Sequence, residues 1–160
     1  MNILEEEERR TELRRLFKRN QEDAALNPVL VLWRFPHLES ENLSWTFLSS
    51  QNFDRAVLRK ASWERFEEEA EIQTTDLPLT QSELVEAFQV LSGIEVLGEQ
   101  GVGIYDGAIY GRELFDEKTA AVTERLEWVG AQTFEMLDRK LPNVLKQKMD
   151  WQNVPYQTDI

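Results

Sequence analysis

The chain has 160 residues, with 30 acidic against 18 basic side chains, one histidine and no cysteine, for a formal net charge of −12. Without cysteine there can be no disulfide, thiolate zinc site, iron–sulfur cluster or thiol nucleophile, and one histidine cannot build a multi-histidine metal centre. An acid excess of this size argues against a general nucleic-acid binder, which needs Lys and Arg to neutralise phosphates.

A hydrophobic fraction of 41% with 10% aromatics supplies a real core. The start, Met1-Asn2-Ile3-Leu4 and then four glutamates, has neither the basic residues nor the apolar run of a secretory signal. Val29-Leu30-Val31-Leu32-Trp33 is the longest apolar run and is too short to span a bilayer. Asn2 stands where N-myristoylation needs glycine, and the sequon Asn42-Leu43-Ser44 is expected to go unused. These signs predict a cytoplasmic protein with no membrane contact.

Residues 4–26 read as a helix, free of Gly and Pro, with Glu5/Arg9 and Glu6/Arg10 at ion-pair spacing. Leu13, Leu16 and Phe17 give only its second half an apolar stripe, so residues 1–12 are expected to project. Residues 29–35 predict a buried strand and residues 44–48 a half-buried one, joined antiparallel through a long loop over 36–43. Ala56-Val57-Leu58 fits a strand or the start of a helix. Ser62 is placed to cap a helix through Ala70, with Trp63 and Phe66 on its apolar side.

Residues 76–79 read as a linker. Thr80-Gln81-Ser82-Glu83 matches a capping box, followed by Leu84, Phe88 and Leu91 at helical spacing and a stop at Gly93. Residues 94–128 read as a β-meander, with Asp106-Gly107 favouring a tight hairpin turn between Tyr105 and Ala108. Tyr110, Leu114 and Phe115 fall on the next strand, residues 116–118 turn the chain, and residues 121–128 return. Residues 133–140 are helical through Phe134 and Leu137, and Pro142 restarts a helix toward Met149. Residues 150–160 form a C-terminal tail with Trp151, Val154 and Tyr156 as anchors. The whole predicts one α+β domain over residues 1–160, an antiparallel sheet of about four to six strands packed by three to four helices.

Chemistry-bearing motifs are few. Gly101-Val102-Gly103 fails the dinucleotide spacing, because Asp106 occupies the place of the third glycine and a strand follows. His37 has no nucleophile elbow to serve, and Ser49 and Ser50 have no supporting motif. Trp33, Trp45, Trp63 and Trp128 fall in regular elements and are expected in the core. Thr158-Asp159-Ile160 matches only loosely the carboxylate endings that some domains capture. No cofactor is implied.

Charge placement says more. Residues 64–76 hold six acids against one base, and residues 94–128 hold eight against three. On a 62–70 helix, Glu64, Glu67, Glu68 and Glu71 would share one face, and Tyr105, Asp106 and Tyr110 would present aromatics at the hairpin. These seven residues are the expected binding surface for a basic protein partner. The function this predicts is non-catalytic protein binding, of the kind an immunity or antitoxin-like inhibitor performs. The alternative is a small enzyme or ligand-binding protein with a carboxylate-built site, with or without Mg²⁺.

Overall fold

The computed structural model describes residues 3–20, 25–36, 41–52, 54–64, 71–95, 108–116, 118–129 and 132–153. Its centre is one antiparallel six-stranded sheet, built from β1 (Asn27–Pro36), β2 (Glu41–Ser49), β3 (Ala56–Glu64), β4 (Gln73–Leu79), β5 (Ala108–Phe115) and β6 (Val122–Val129). Four helices join it: α1 (Ile3–Asn20), α2 (Gln81–Ser92), α3 (Gln132–Lys140) and α4 (Asn143–Lys148), with a short 3-10 turn at Trp151–Asn153. The spatial order is β4-β3-β2-β1-β5-β6. The α+β class is therefore as the sequence predicts. Among the described residues no helix is long and apolar enough to cross a membrane.

Strand alternation sorts the side chains onto two faces. Leu30 and Leu32 of β1, Trp45 and Phe47 of β2, Leu58 of β3, and Tyr110 and Trp128 of β5 and β6 point to one face. There they pack with Leu84, Ala87 and Leu91 of α2, Phe134 and Leu137 of α3, Leu145 of α4, and Trp151. Val31, Trp33, Phe35, Ala61 and Trp63 point to the other face, where Leu13 and Leu16 of α1 cover them. All five tryptophans are buried, Trp151 included.

Several boundaries differ from expectation. Residues 62–64, where the helix predicted over 62–70 would begin, are instead the end of β3, in which buried Ala61 and Trp63 alternate with half-buried Ser62. A period of two won over the helical reading because Trp63 is held from above: its indole N–H donates to the Glu12 carboxylate of α1. Phe66 lies outside the described residues. The supposed linker 76–79 belongs to β4, fixed by the Arg59–Asp76 ion pair across the ladder at 2.8 Å. Pro78 is tolerated because β4 is an edge strand. Helix α1 is described as far as Asn20, whose amide donates to Thr46 Oγ1 at 3.0 Å, and β2 includes Glu41, so the 36–43 connection is shorter than predicted. Asn42 of the sequon is buried within β2 and presents no acceptor.

Other readings hold. The capping box forms, with Glu83 N–H donating to Thr80 Oγ1 at 3.1 Å and Thr80 N–H to the Glu83 carboxylate at 2.8 Å. The β5–β6 hairpin turns at Asp116, which accepts from the N–H groups of Lys118 and Thr119, while Ala120 takes a φ of 56°. The meander differs in its entry: β5 lies between β1 and β6, so both of its hydrogen-bonding edges are occupied. The Asp106-Gly107 turn, His37, the 101–103 glycines and the C-terminal Thr158-Asp159-Ile160 lie outside the described residues.

Candidate functional site

The face of the sheet that carries α2, α3 and α4 changes character along its strands. Successive register rows across β1, β2, β3 and β4 place Leu30, Phe47, Leu58 and Leu77 together, then Leu32, Trp45, Lys60 and Thr75, then Arg34, Leu43, Ser62 and Gln73. Apolar packing thus gives way to polar and cationic side chains in the space of two rows. In the next row Glu41 stands directly opposite Glu64. Glu71 is exposed two residues ahead of β4, which begins at Gln73.

The segment after α4 roofs this end of the sheet. Trp45 Nε1 donates to the Met149 carbonyl at 2.7 Å, and the Lys148 ammonium donates to the Glu83 carboxylate and to the Pro78 carbonyl, both at 2.9 Å. Asp150 then takes a φ of 55° and accepts from the Asn153 amide at 2.6 Å, which turns the chain into the Trp151 anchor. Between roof and sheet lies a cleft of about 490 Å³, within the size range of ligand sites. Arg34, Leu43, Trp45, Lys60, Thr75 and Met149 line it, with Glu41 at its edge.

Its electrostatics are divided. Arg34 is buried to 1% exposure and Lys60 is half-buried, whereas Glu41, Glu64 and Glu71 are exposed at the rim. None of the three rim carboxylates has an ion-pair partner among the described residues. Among the described side chains, Lys60 alone combines incomplete exposure with no hydrogen bond or ion pair; the other unpaired cations are exposed. No group of three or more His, Asp or Glu side chains among the described residues is placed to hold a metal ion. A carboxylate-built metal site gains no cluster there.

The seven expected site residues fare unequally. Glu64 lies opposite Glu41 across the β2–β3 pair rather than along a helix face, and Glu71 is exposed ahead of β4. Glu67, Glu68, Tyr105 and Asp106 lie outside the described residues. Tyr110 is a correction: it is 0% exposed, stacked on Trp128 at 6.1 Å and tilted against Phe134 at 4.4 Å. The β5 alternation that points Glu113 and Ile109 toward the α1 side aims Tyr110 into the aromatic core. Sequence reading missed Glu41, Arg34 and Lys60. A β reading of residues 56–64 would have found Lys60 on the same face as Leu58 and Ser62. Comparisons with family models, curated proteins and solved structures find no match.

Proposed function

We propose that this chain is a non-catalytic binding protein whose acidic sheet end receives a basic protein partner. What supports the reading is one observation: Glu41 and Glu64 stand directly opposite each other on β2 and β3, both exposed and without an ion-pair partner among the described residues. Like charges placed directly opposite each other on a sheet weaken it, so folding alone does not favour this row. A partner bearing Lys or Arg would remove the repulsion on docking. The net charge of −12 adds long-range attraction for the same partner. A basic toxin or nuclease is the partner class that fits such a surface, which makes this chain an inhibitor of the immunity or antitoxin kind, and the cytoplasm is the compartment we assign.

The test uses the chain as immobilised bait against a lysate of its native host. A matched bait carries Glu41→Lys, Glu64→Lys and Glu71→Lys, and a control bait carries Glu86→Lys and Glu135→Lys, exposed acids on α2 and α3. The expected result is a basic protein retained by wild type and control but lost by the rim variant. Its on-rate should fall steeply as the Debye length shrinks from about 10 to about 3 Å. Retention by all three baits, with no dependence on salt, rejects the proposal.

A further inference from the structure

We infer that helix α1 is a detachable cover: it lifts from the sheet as one unit while the strands and the core under α2, α3 and α4 stay folded. The inference is independent of the acidic rim.

The two faces of the sheet hold separate cores with no residue in common. Leu30, Leu32, Phe47, Leu58 and Phe134 belong to the larger one, to which α1 contributes nothing. Among the described side chains of α1, only Leu13 and Leu16 are both apolar and buried. Phe17 is 39% exposed, with its ring against Phe115 at 6.0 Å. Helix α1 also precedes β1, so its departure breaks no strand pairing.

Polar anchors hold the helix down. The Glu12 carboxylate accepts from the Trp63 indole N–H, Arg19 donates to Thr74 Oγ1 at 3.1 Å, and the Asn20 amide donates to Thr46 Oγ1 at 3.0 Å. Bonds of this kind are exchanged for bonds to water at small net cost when both partners become exposed. The anchors also fix the path of the helix. From Glu12 to Asn20 the helix rises about 12 Å. Trp63 pairs with Asn42, and from Asn42 to Thr46 strand β2 runs about 13 Å. Helix α1 therefore lies along β2, with Ser44 between its two ends.

The seam beneath it is polar and dry. Asn42 Nδ2 and Oδ1, Ser44 Oγ and Asn20 Oδ1 are buried without a hydrogen-bond partner among the described residues. Burial of such atoms costs free energy that water restores once α1 lifts. Exposure of Val31, Trp33, Phe35 and Trp63 acts in the opposite direction and keeps the closed state dominant. The outcome is a helix that is seated at rest yet opens without global unfolding, as the least stable cooperative unit of a fold does.

Native-state hydrogen exchange of the whole chain at low urea tests this. The amides of Leu13, Leu16 and Phe17 should exchange at least about a hundredfold faster than those of Leu32 and Phe47, with a shallower urea dependence. Phe134→Leu weakens only the other core, so it should speed exchange at Leu32 and Phe47 by about tenfold or more and leave the three α1 amides unchanged. Ser44→Ala removes one dry hydroxyl from the seam and should slow exchange at the α1 amides by about threefold or more. Fraying from the helix end also gives fast exchange, but it ignores Ser44→Ala. One shared rate and urea slope for all these amides, a response of the α1 amides to Phe134→Leu equal to that of Leu32, or α1 exchange that Ser44→Ala does not slow overturns the proposal.

Discussion

Arg112 holds the C-terminus of helix α2 from the middle of strand β5: its guanidinium donates to the Ser92 carbonyl at 2.6 Å and to the Leu91 carbonyl at 3.2 Å. The other nitrogen pairs with Glu124 on β6. A fully buried cation thus satisfies the helix-end carbonyls that have no intrahelical donor, where the helix dipole favours positive charge. Replacing Arg112 by Met should cost about 2–4 kcal/mol, because two helix-end carbonyls lose their donor while the half-exposed Glu124 can turn to water. Arg112→Lys should recover little, because one ammonium nitrogen replaces the two guanidinium nitrogens that separately hold the α2 carbonyls and Glu124. Urea unfolding measures both, and a loss under about 1 kcal/mol for Arg112→Met would show that α2 is anchored by its apolar face alone.

Gly111 is opposite Trp33 across the β1–β5 ladder, and a Cβ placed there would fall inside the indole ring. The requirement is for space, since Trp33 fills the volume a side chain would need. Gly111→Ala should therefore destabilise by about 2–3 kcal/mol through overpacking. Trp33→Ala alone should cost about 3–5 kcal/mol as a core truncation. Combining Gly111→Ala with Trp33→Leu should lose less than the sum of the single changes. Strict additivity in a double-mutant cycle would mean the two side chains do not compete for one volume.

The acid limb of stability should depend on Asp76. The Arg59 guanidinium, hydrogen-bonded to it through both carboxylate oxygens, holds its pKa below the usual 3.8, against the opposing effect of partial burial. Glu83 is held below 4.5 chiefly by the Thr80 N–H, then by Lys148. A carboxyl whose folded pKa is depressed contributes stability that is complete above its unfolded pKa and is lost as pH falls through the folded one. Both contributions should accordingly be intact above about pH 5 and decline below about pH 4. Asp76→Asn should flatten the fall in urea midpoint between pH 5 and pH 2, while leaving Arg59 buried without its counter-ion. An unchanged slope would show that the pair does not contribute.

On the α1 face of β2, Asn42 and Ser44 are buried and neither side chain finds a hydrogen-bond partner among the described residues. Unsatisfied buried polar atoms cost about 1–3 kcal/mol each in desolvation. Ser44→Ala and Asn42→Leu should then leave stability unchanged or raise it, by up to about 1 kcal/mol each. A loss greater than about 1 kcal/mol in either variant would indicate bound water bridging these atoms.

What could be read from the chain divides by the range of the interactions concerned. The capping box at Thr80 and Glu83 was legible because all its partners lie within four residues. The core positions of Trp33, Trp45 and Phe134 followed from local periodicity. The 56–64 strand was ambiguous because Trp63 owes its burial to Glu12 and Leu13 on a distant helix. Tyr110 was misplaced for the same reason: only the joint presence of β6 and α3 decides that its face is interior. The charged cleft was invisible, since Arg34, Glu41 and Lys60 belong to three strands and meet only through the register.

The order of the sheet carries a consequence for how the molecule assembles. The pairings β1–β2, β2–β3 and β3–β4 each join consecutive strands, so this half zips by short loop closures. The β1–β5 seam is different: Leu30 pairs with Leu114 and Pro36 with Ala108, across everything from β2 through α2. Closing it carries the largest chain-entropy cost of any pairing in the sheet, and such non-local contacts set the folding rate. Trp33 against Gly111 and Arg112 against the end of α2 are both made when that seam shuts. The kinetic bottleneck of the fold is thus the seating of β5 against β1, and substitutions at Arg112 or Gly111 should alter the refolding arm of a chevron plot.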